Sequence, residues 1–289
     1  ADVNHVVISG GTESMSNIPF YLDKARFGYG YGSGTLLDGL ERDGLRDAYN
    51  PIPMGCFADA TAEKYNLSRE LQDNFAIESY KRAASAWQNG YFSNEIVPIE
   101  LTDKKGNTKT IAEDEEYKKV NFEKIPTLKP TFTKTGTVTA ANASSINDGA
   151  AALLVVSEDA LTKFNLTPIA RIVSYADAAH EPEWFTTAPV KAAEIALKRA
   201  NLTIDAIDFF EVNEAFSAVV LAFMQALNVS HDKVNCWGGA VAIGHPLGCS
   251  GARILTTLIN VLHSNSAKYG MAAICNGGGG ASAMIIERM

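Results

Sequence analysis

After Gly149 the chain alternates short apolar runs with longer amphipathic segments, and this alternation restricts the possible folds more than any other feature. Such alternation is typical of layered α/β proteins, in which helices cover the faces of a sheet. The sequence therefore predicts an α/β fold. The predicted strands are 150–156, 171–175, 207–212, 271–275 and 281–287, and the predicted helices are 189–200, 214–227 and 251–263.

The first half of the chain has a less regular pattern. Residues 5–9 form a short apolar run followed by the Gly10–Gly11 pair, which predicts a buried strand and a turn. Across residues 16–147 glycine, proline and charge become more frequent, so helices and loops are expected to dominate. Ser68 is a predicted N-cap for a helix that Gly90 terminates.

One internal similarity joins the two ends of the chain. Residues 6–15 resemble residues 272–284, because both place glycines directly after an apolar run. Two related halves would each contribute a strand–glycine–strand corner. A chance similarity between glycine turns is the alternative, and the pattern leaves both open.

The composition excludes several classes of function. A net charge of −8 argues against a general nucleic-acid-binding protein, which needs a basic surface. No apolar run approaches the length of a membrane span, and the start of the chain lacks a signal-peptide pattern. The four cysteines show neither CxxC spacing nor the density of a disulfide scaffold, which favours a reducing, intracellular location. A length of 289 residues suits roughly two domains.

Two polar residues occur where α/β proteins often bind ligands. Asn213 lies where a predicted strand passes into a helix, so its amide would reach the carboxyl end of the strand; a plain helix cap is the alternative. His245 lies in a glycine-rich loop just before the helix that starts near Ser250. The positive potential of that helix N-terminus suits an anionic or polarised oxygen, although a lone histidine is often structural.

A third candidate is Cys275, which ends an apolar run and precedes four glycines. Glycines leave backbone N–H groups accessible beside the sulfur. This arrangement suits a reactive thiol next to an oxyanion hole. A buried, inert cysteine followed by a flexible turn is the alternative.

Together the three segments resemble the thiolase family. The resemblance extends from Gly10 to Met289, and the blocks 235–253 and 273–281 are its most specific parts. Tyr80 and the blocks 115–119, 136–144 and 147–149 are most similar to the acetoacetyl-CoA thiolases of the mitochondrial, potassium-dependent kind.

The resemblance implies a layered αβαβα fold with an inserted, α-rich loop domain and an incomplete N-terminal domain. It assigns residues 1–15 and 147–166 to the remainder of the N-terminal domain, 16–146 to the coenzyme A-binding loop domain and 167–289 to the C-terminal domain. It also implies a homotetramer, a dimer of dimers, or a simple dimer. A mitochondrial location is expected, with the cytoplasm as the alternative.

The activity implied is acetyl-CoA C-acetyltransferase: two acetyl-CoA molecules are interconverted with acetoacetyl-CoA and free coenzyme A. Cys275 would be the acid–base thiol. His245 would activate the nucleophilic cysteine and donate a hydrogen bond to the thioester oxygen, while Asn213 would hold a water molecule in that oxyanion hole. The N–H group of Gly277 would belong to a second oxyanion hole.

The resemblance also implies binding residues. Those expected along the pantetheine path of coenzyme A are Leu45, Met54, Ala140, Ser144, Ala215 and Phe216. Those expected near its adenosine phosphate are Lys119, Val120, Asn121 and Lys124, although these lysines also fit a solvated charged face. The expected potassium ligands are Tyr80, Ala140, Ala141, Ala143 and Val241. Pro53 stands where many relatives have a histidine, so one coenzyme A contact is expected to be absent.

One expected element is missing from the sequence. The nucleophilic cysteine of the family lies in a Val-Cys-Ala-Ser-like motif, which is expected upstream of Ala1 and has no counterpart here. Cys56 and Cys249 lie in unsuitable segments. Either the chain is a fragment of a longer enzyme and is inactive alone, or it is a catalytically inactive homologue that binds coenzyme A or an assembly partner.

Overall fold

The computed structural model describes residues 4–289. The strands are β1 (Val6–Ser14), β2 (Phe20–Leu22), β3 (Leu36–Asp38), β4 (Ile99–Thr102), β5 (Thr108–Ile111), β6 (Asp148–Val156), β7 (Ala170–Ala179), β8 (Phe209–Val212), β9 (Tyr269–Asn276) and β10 (Gly280–Arg288). The helices are α1 (Met54–Lys64), α2 (Arg69–Gln88), α3 (Glu158–Phe164), α4 (Ala188–Ala200), α5 (Ser217–Leu227), α6 (Ala240–Ile243) and α7 (Ser250–Ser264). No helix among these is both long and apolar enough to cross a membrane.

The second half of the chain forms a four-stranded sheet in the order β7-β10-β9-β8. β10 is antiparallel to both β7 and β9, whereas β8 is parallel to β9. Each strand and helix predicted after Gly149 is present, with ends shifted by a few residues. The predicted α/β fold is confirmed.

The sheet is covered on both faces, as the alternation of side chains along β9 shows. Met271 and Ala273 pack in the core that α4 and α5 share with the sheet. Their neighbours Ala272 and Ile274 pack in the core of α7 on the opposite face. Helix α7 also contacts β1 and β6 on its far side. The layers therefore follow the order helix, sheet, helix, sheet.

The prediction for the first strand was wrong in two respects. β1 runs straight through Gly10 and Gly11 and pairs with β6 along its whole length, so no turn occurs at these glycines. A Cβ atom on Gly11 would collide with the carbonyl group of Gly248, so glycine here permits close approach of the loop before α7. The strand is also exposed rather than buried, with Ile8 78% accessible.

The expected similarity between the two ends of the chain is therefore only partial. In the second segment, β9 and β10 do meet at a corner made by Gly277–Gly279. The first segment is one continuous strand. The strand–glycine–strand corner is present once among the described residues, which favours the alternative of a chance similarity between glycine turns.

The region between β1 and β6 contains α1, α2 and two small hairpins, β2–β3 and β4–β5, which the sequence did not predict. The predicted cap of α2 is confirmed, because Ser68 Oγ accepts a hydrogen bond from the N–H group of Leu71 at 3.1 Å. Gly90 follows the helix with a positive φ of 71°. Asp73 of α2 accepts a hydrogen bond from the Asn142 amide, which ties the segment before β6 to this helix.

Candidate active site

Asn213 is the first residue beyond β8, at the carboxyl end of the strand. Its N–H group donates to the carbonyl oxygen of Ala273 at 2.9 Å, which extends the pairing of β8 with β9. Asn213 is not a helix cap, because α5 begins only at Ser217, three residues later than predicted. The delay has a cause: residues 213–216 are not helical, Phe216 pairs with Ala143, and the carbonyl oxygen of Ala215 accepts a hydrogen bond from the N–H group of Ser144 at 3.1 Å.

The segment 213–216 is fixed by hydrogen bonds to the buried Glu214, a residue that the sequence analysis missed. Its carboxylate is fully buried and accepts hydrogen bonds from Ser79 Oγ at 2.7 Å, Asn235 Nδ2 at 2.9 Å and the N–H group of Val241 at 3.0 Å. The turn that carries Asn213 is thereby joined to the loop that leads to His245. A charged residue inside an otherwise apolar strand–helix junction was the available signal.

His245 lies in the loop before α7, after Gly244, whose φ of 99° suits glycine. Asn213 Nδ2 lies 3.1 Å from His245 Nε2, and Ser250 Oγ lies 2.6 Å from His245 Nδ1. Burial, together with the positive charge of Arg253, lowers the pKa of His245 to about 4. The imidazole is therefore neutral near pH 7.

Cys275 lies near the end of β9, next to the glycine corner. Burial raises the pKa of its thiol to about 12, so the sulfur carries a proton at neutral pH. Gly277 follows two residues later, and the nearest side-chain atom to a Cβ built on it would be Met54 Cε at 3.4 Å. The backbone beside the thiol is consequently accessible to a bound molecule.

These residues surround one cavity of about 230 Å³. The predicted site residues that line it are Leu45, Met54, Ser144, Ala215, Phe216, His245, Cys275 and Gly277. Asn213 does not line the cavity, but it is hydrogen-bonded to His245 Nε2. The imidazole of His245 and the thiol of Cys275 therefore line the same cavity as five of the residues predicted to contact coenzyme A.

The other predicted coenzyme A residues do not line this cavity. Ala140 precedes the lining residue Ser144 along the chain. Val120 packs against the cluster around Tyr80, and Asn121 Oδ1 accepts a hydrogen bond from the N–H group of Glu123 at 3.1 Å. Lys119 forms an ion pair with Glu116, so it lies in a surface of mixed charge, as does the exposed Lys124.

The predicted potassium ligands come from α2, α6 and the segment before β6. Tyr80 of α2 and Val241 of α6 belong to one small buried cluster. Ala141 and Ala143 are buried, and the segment of Ala140–Ala143 is held to α2 by the Asn142–Asp73 hydrogen bond of 2.9 Å. Burial is the main cause that raises the pKa of Tyr80 to about 12, so its phenol keeps its proton. A neutral hydroxyl and backbone carbonyls are donors that suit a hard cation.

A second buried acid lies beneath the site. Glu211 of β8 is 1% exposed, and its carboxylate lies 3.5 Å from the guanidinium of Arg253 on α7. Burial raises the pKa of Glu211 to about 8, although Arg253 opposes the shift. Sequence reasoning missed this pair, because its partners are 42 positions apart in the chain (253 − 211) and meet only through the packing of α7 on the sheet.

The three other cysteines do not line this cavity. Cys249 is buried next to Ser250, Cys236 is partly buried near Asp232, and Cys56 lies in the first turn of α1. Among the described residues, Cys275 is the one cysteine that lines the cavity. A neutral imidazole, an amide and a protonated thiol around one narrow cavity suit proton transfer and stabilisation of a carbonyl oxygen, the requirements of acyl transfer.

Comparison with known proteins gives the family. Residues 1–159 match the family described as "Thiolase, N-terminal domain", and residues 166–288 match "Thiolase, C-terminal domain". The chain is 51% identical over 285 residues to "Acetyl-CoA acetyltransferase ERG10, cytosolic" of Gibberella zeae, covering 98% of this chain and 72% of that protein. It is 50% identical over 285 residues to "Acetyl-CoA acetyltransferase, mitochondrial" of Homo sapiens, covering 98% of this chain and 66% of that protein.

Among solved structures, the coenzyme A complex of Acat5 thiolase from Ascaris suum superposes with a TM-score of 0.93 at 46% identity. The superposition covers 100% of this chain and 73% of that chain. Fold and site therefore define an acyltransferase of layered α/β architecture. The chain belongs to the thiolase family, and the predicted thiolase fold is confirmed.

Proposed function

We propose that this chain is the coenzyme A-binding and acid–base part of an acetyl-CoA C-acetyltransferase. The enzyme would condense two acetyl-CoA molecules to acetoacetyl-CoA and free coenzyme A, and would catalyse the reverse thiolysis. The observation that carries the proposal is the single cavity that joins His245, backed by Asn213, to Cys275. The names of the human and Gibberella zeae relatives, and the coenzyme A bound to the Ascaris suum thiolase, support it.

In thiolysis, a nucleophilic cysteine attacks the ketone carbon of acetoacetyl-CoA after its thiol proton passes to His245. The carbon–carbon bond then breaks, leaving an acetyl thioester on the enzyme and an acetyl-CoA carbanion. Cys275 donates its proton to that carbanion and becomes a thiolate. Coenzyme A finally gives its thiol proton to the Cys275 thiolate and takes the acetyl group, and the nucleophilic cysteine leaves as a thiolate that regains its proton from His245.

The raised pKa of Cys275 supports its role as the acid in this sequence. A thiol that keeps its proton in the resting enzyme is ready to protonate a carbanion. In condensation the same sulfur must first lose its proton, and then removes one from the methyl group of acetyl-CoA. The chain therefore has its acid–base thiol in the form that thiolysis uses first.

Two oxyanion holes are proposed for the developing negative charge. The first uses His245 with a water molecule held by Asn213, and the buried Oδ1 atom of Asn213, which has no partner among the described residues, supports that role. The second uses the N–H group of Gly277 beside Cys275. Each such donor is typically worth about 3–4 kcal/mol in transition-state stabilisation.

The proposed coenzyme A path leads from the cavity towards the middle region of the chain. Leu45, Met54, Ser144, Ala215 and Phe216 would contact pantetheine, with Ala140 farther along. Lys119, Val120, Asn121 and Lys124 would lie near the adenosine phosphate. Lys119 forms an ion pair with Glu116 in this structure, so that ion pair would have to break before the ammonium group could bind the phosphate.

A potassium ion would be held by Tyr80, Ala140, Ala141, Ala143 and Val241. The shared buried cluster of Tyr80 and Val241, and the hydrogen bond that ties the Ala140–Ala143 segment to α2, support this proposal. A bound cation would fix the Ala140–Ala143 segment beside Ser144 and so stabilise the wall of the cavity. Higher thermal stability in potassium than in sodium chloride of equal strength is expected, and Tyr80→Phe should reduce the difference.

Organisation and location follow the same reasoning. We assign residues 1–15 and 147–166 to an N-terminal domain, 16–146 to a loop domain and 167–289 to a C-terminal domain; the pairing of β1 with β6 supports the first assignment. Assembly as a homotetramer, a dimer of dimers, is proposed, and light scattering during size-exclusion chromatography tests it. The mitochondrion is the proposed location and the cytoplasm the alternative, since relatives of both kinds are named.

The second candidate function is a catalytically inactive homologue that binds coenzyme A. It is favoured by one observation: the only cavity-lining cysteine among the described residues is Cys275, the proposed acid. In the first proposal the nucleophile is supplied by a Val-Cys-Ala-Ser-like segment upstream of Ala1. In the second, no such cysteine takes part.

The deciding experiment measures the loss of acetoacetyl-CoA with coenzyme A for this chain and for the gene product extended upstream, with and without potassium. Turnover by the extended form alone would establish a thiolase whose nucleophile lies outside this chain. Turnover by this chain would refute that placement and return attention to Cys56 and Cys249. Silence from both forms, with coenzyme A still bound in calorimetry, would favour the inactive homologue.

A further inference from the structure

Ser250 is the buried first residue of α7 and faces His245. Its Oγ lies 3.0 Å from the carbonyl oxygen of Pro246 and 2.6 Å from His245 Nδ1. In the structure the Ser250 hydroxyl donates its single hydrogen to the carbonyl oxygen of Pro246, which can only accept. The Ser250 oxygen then accepts a hydrogen bond from His245, and Nδ1 of the neutral ring carries the hydrogen.

The opposite nitrogen of the ring agrees with this assignment. A neutral imidazole with its hydrogen on Nδ1 has a lone pair on Nε2. The Asn213 amide nitrogen faces Nε2 at 3.1 Å and donates to it. Three hydrogen bonds, from His245 to Ser250, from Ser250 to Pro246 and from Asn213 to His245, are thus satisfied together by one tautomer.

Ser250 does not perform the usual task of a serine at a helix start. Residue 249 is the N-cap of α7, and no side chain caps this helix. The hydroxyl of Ser250 turns back to the carbonyl group four residues earlier instead. With 1% of its surface exposed, Ser250 is closed to solvent, so water does not compete for the imidazole N–H group.

We propose that Ser250 is a positioning residue that holds His245 in the Nδ1–H tautomer, with a bare Nε2 as the proton acceptor. This inference rests on the proposed function, in which His245 takes a thiol proton. It also orders two roles of His245 in time. Nε2 must first accept the proton from sulfur, breaking S–H and forming N–H, before an Nε2–H group exists to donate to a thioester oxygen.

The arrangement stabilises both protonation states of the ring. Ser250 accepts from Nδ1–H in the neutral imidazole and in the imidazolium, so it needs no rearrangement when the proton arrives. Asn213 by contrast donates to Nε2 only while that atom is bare. Its amide must move off when Nε2 is protonated, which frees the Nε2–H group for an oxygen of the substrate.

The test is nitrogen NMR of this chain labelled with ¹⁵N-histidine, with the His245 signals assigned from a His245→Asn variant. The wild type is expected to show one tautomer, protonated at Nδ1 and bare at Nε2. Ser250→Ala should lose this preference, and Ser250→Thr should keep it. Thr256→Val is the matched control, because Thr256 Oγ1 makes the same kind of bond to Ala252, 2.9 Å away on the same helix, without a histidine.

A wild-type ring protonated at Nε2 would overturn the proposal, and this measurement does not depend on whether any variant folds. A single Nδ1–H tautomer in Ser250→Ala would also overturn it. In the form of the enzyme that turns over, Ser250→Ala should lower kcat roughly 10- to 100-fold with KM little changed, as when a partner that orients a functional histidine is removed. Ser250→Thr should restore kcat. If the NMR spectra are as expected but no form of the enzyme turns over, the tautomer is established. Only the proposed thiolase function is then contradicted.

Discussion

The two sheets that flank α7 differ in how they are covered. The four-stranded sheet has helices on both faces, and Leu258 of α7, which packs against it, is fully buried. The β1–β6 pair touches α7 with one face, whereas Leu154 on β6 is 59% exposed. Asn213 and Cys275 lie at the ends of strands in the fully covered sheet.

This difference shows what precise chemistry requires of the fold. The neutral His245 and the protonated Cys275 both owe their shifted pKa values first to burial. The β1–β6 pair supports the loop before α7, as Gly11 does, and none of its residues lines the cavity.

The largest expected effect follows from removing the thiol at the end of β9. Cys275→Ala should reduce turnover of acetoacetyl-CoA by roughly 10²- to 10⁴-fold, the usual range for loss of a general acid–base group. The measurement is steady-state thiolysis in the form that turns over. Cys236→Ser, a change outside the cavity, is the control and should remain near wild type. Equal losses in both variants would show that Cys275 acts through stability rather than chemistry.

The next effect compares the two sheets directly. Leu258→Ala should lower the free energy of unfolding by about 2–5 kcal/mol, because it leaves a cavity in a closed core. Leu154→Ala should change it by less than about 0.5 kcal/mol, because that side chain is already exposed. Chemical denaturation of both variants measures the difference. A large loss for Leu154→Ala would mean that the outer face of β1–β6 is covered in solution.

The same contrast explains what could be predicted from the sequence. The strands of the covered sheet were predicted because apolar runs buried on both faces leave a clear pattern, with Met271–Cys275 as an example inside β9. The strand β1 misled, since its glycines suggested a turn. They permit instead the close approach of Gly248, a contact 237 positions away (248 − 11) that no local pattern contains.

The site shows a similar division. Asn213, His245 and Cys275 were found because each combines a reactive side chain with glycines or a strand end. Glu214, Glu211 and Ser250 were missed, because their roles depend on partners that only tertiary packing supplies. Serine at a helix start is normally read as a cap, and nothing local shows that Ser250 faces a histidine instead.

A pH-dependent prediction sharpens the comparison within the covered sheet. Glu211 has a pKa raised from 4.5 to about 8 by burial, facing Arg253 and the neighbouring acids Glu214 and Glu95. A raised pKa gives stability that is fully present below pH 4.5 and is lost as the pH rises through about 8. Glu211→Gln should therefore gain stability relative to wild type over this range, on the order of a few kcal/mol.

Denaturation at a series of pH values measures that gain. Glu287→Gln is the control on the same sheet, since Glu287 is half-buried in an ion pair with Arg171 and its pKa is lowered rather than raised. Its variant should show no gain as the pH rises from 4.5 to about 8. A parallel pair of curves for Glu211→Gln and the wild type would contradict a raised pKa at Glu211.

The smallest effect concerns the caps of two helices outside the covered sheet. Ser68 Oγ accepts from the N–H group of Leu71 at 3.1 Å, and Ser157 Oγ accepts from that of Ala160 at 3.2 Å. Ser68→Ala should lower the free energy of unfolding by about 1 kcal/mol, because α2 anchors the segment before β6 and unfolds with the whole molecule.

Ser157→Ala removes an equal bond from α3, which follows the exposed β1–β6 pair. If the β1–β6 pair unfolds locally at a lower free energy, Ser157→Ala should lower the global free energy of unfolding by less than Ser68→Ala does. Hydrogen exchange in β6 should then show the full loss. Equal global losses would instead mean that the two sheets unfold as one unit, despite their unequal cover.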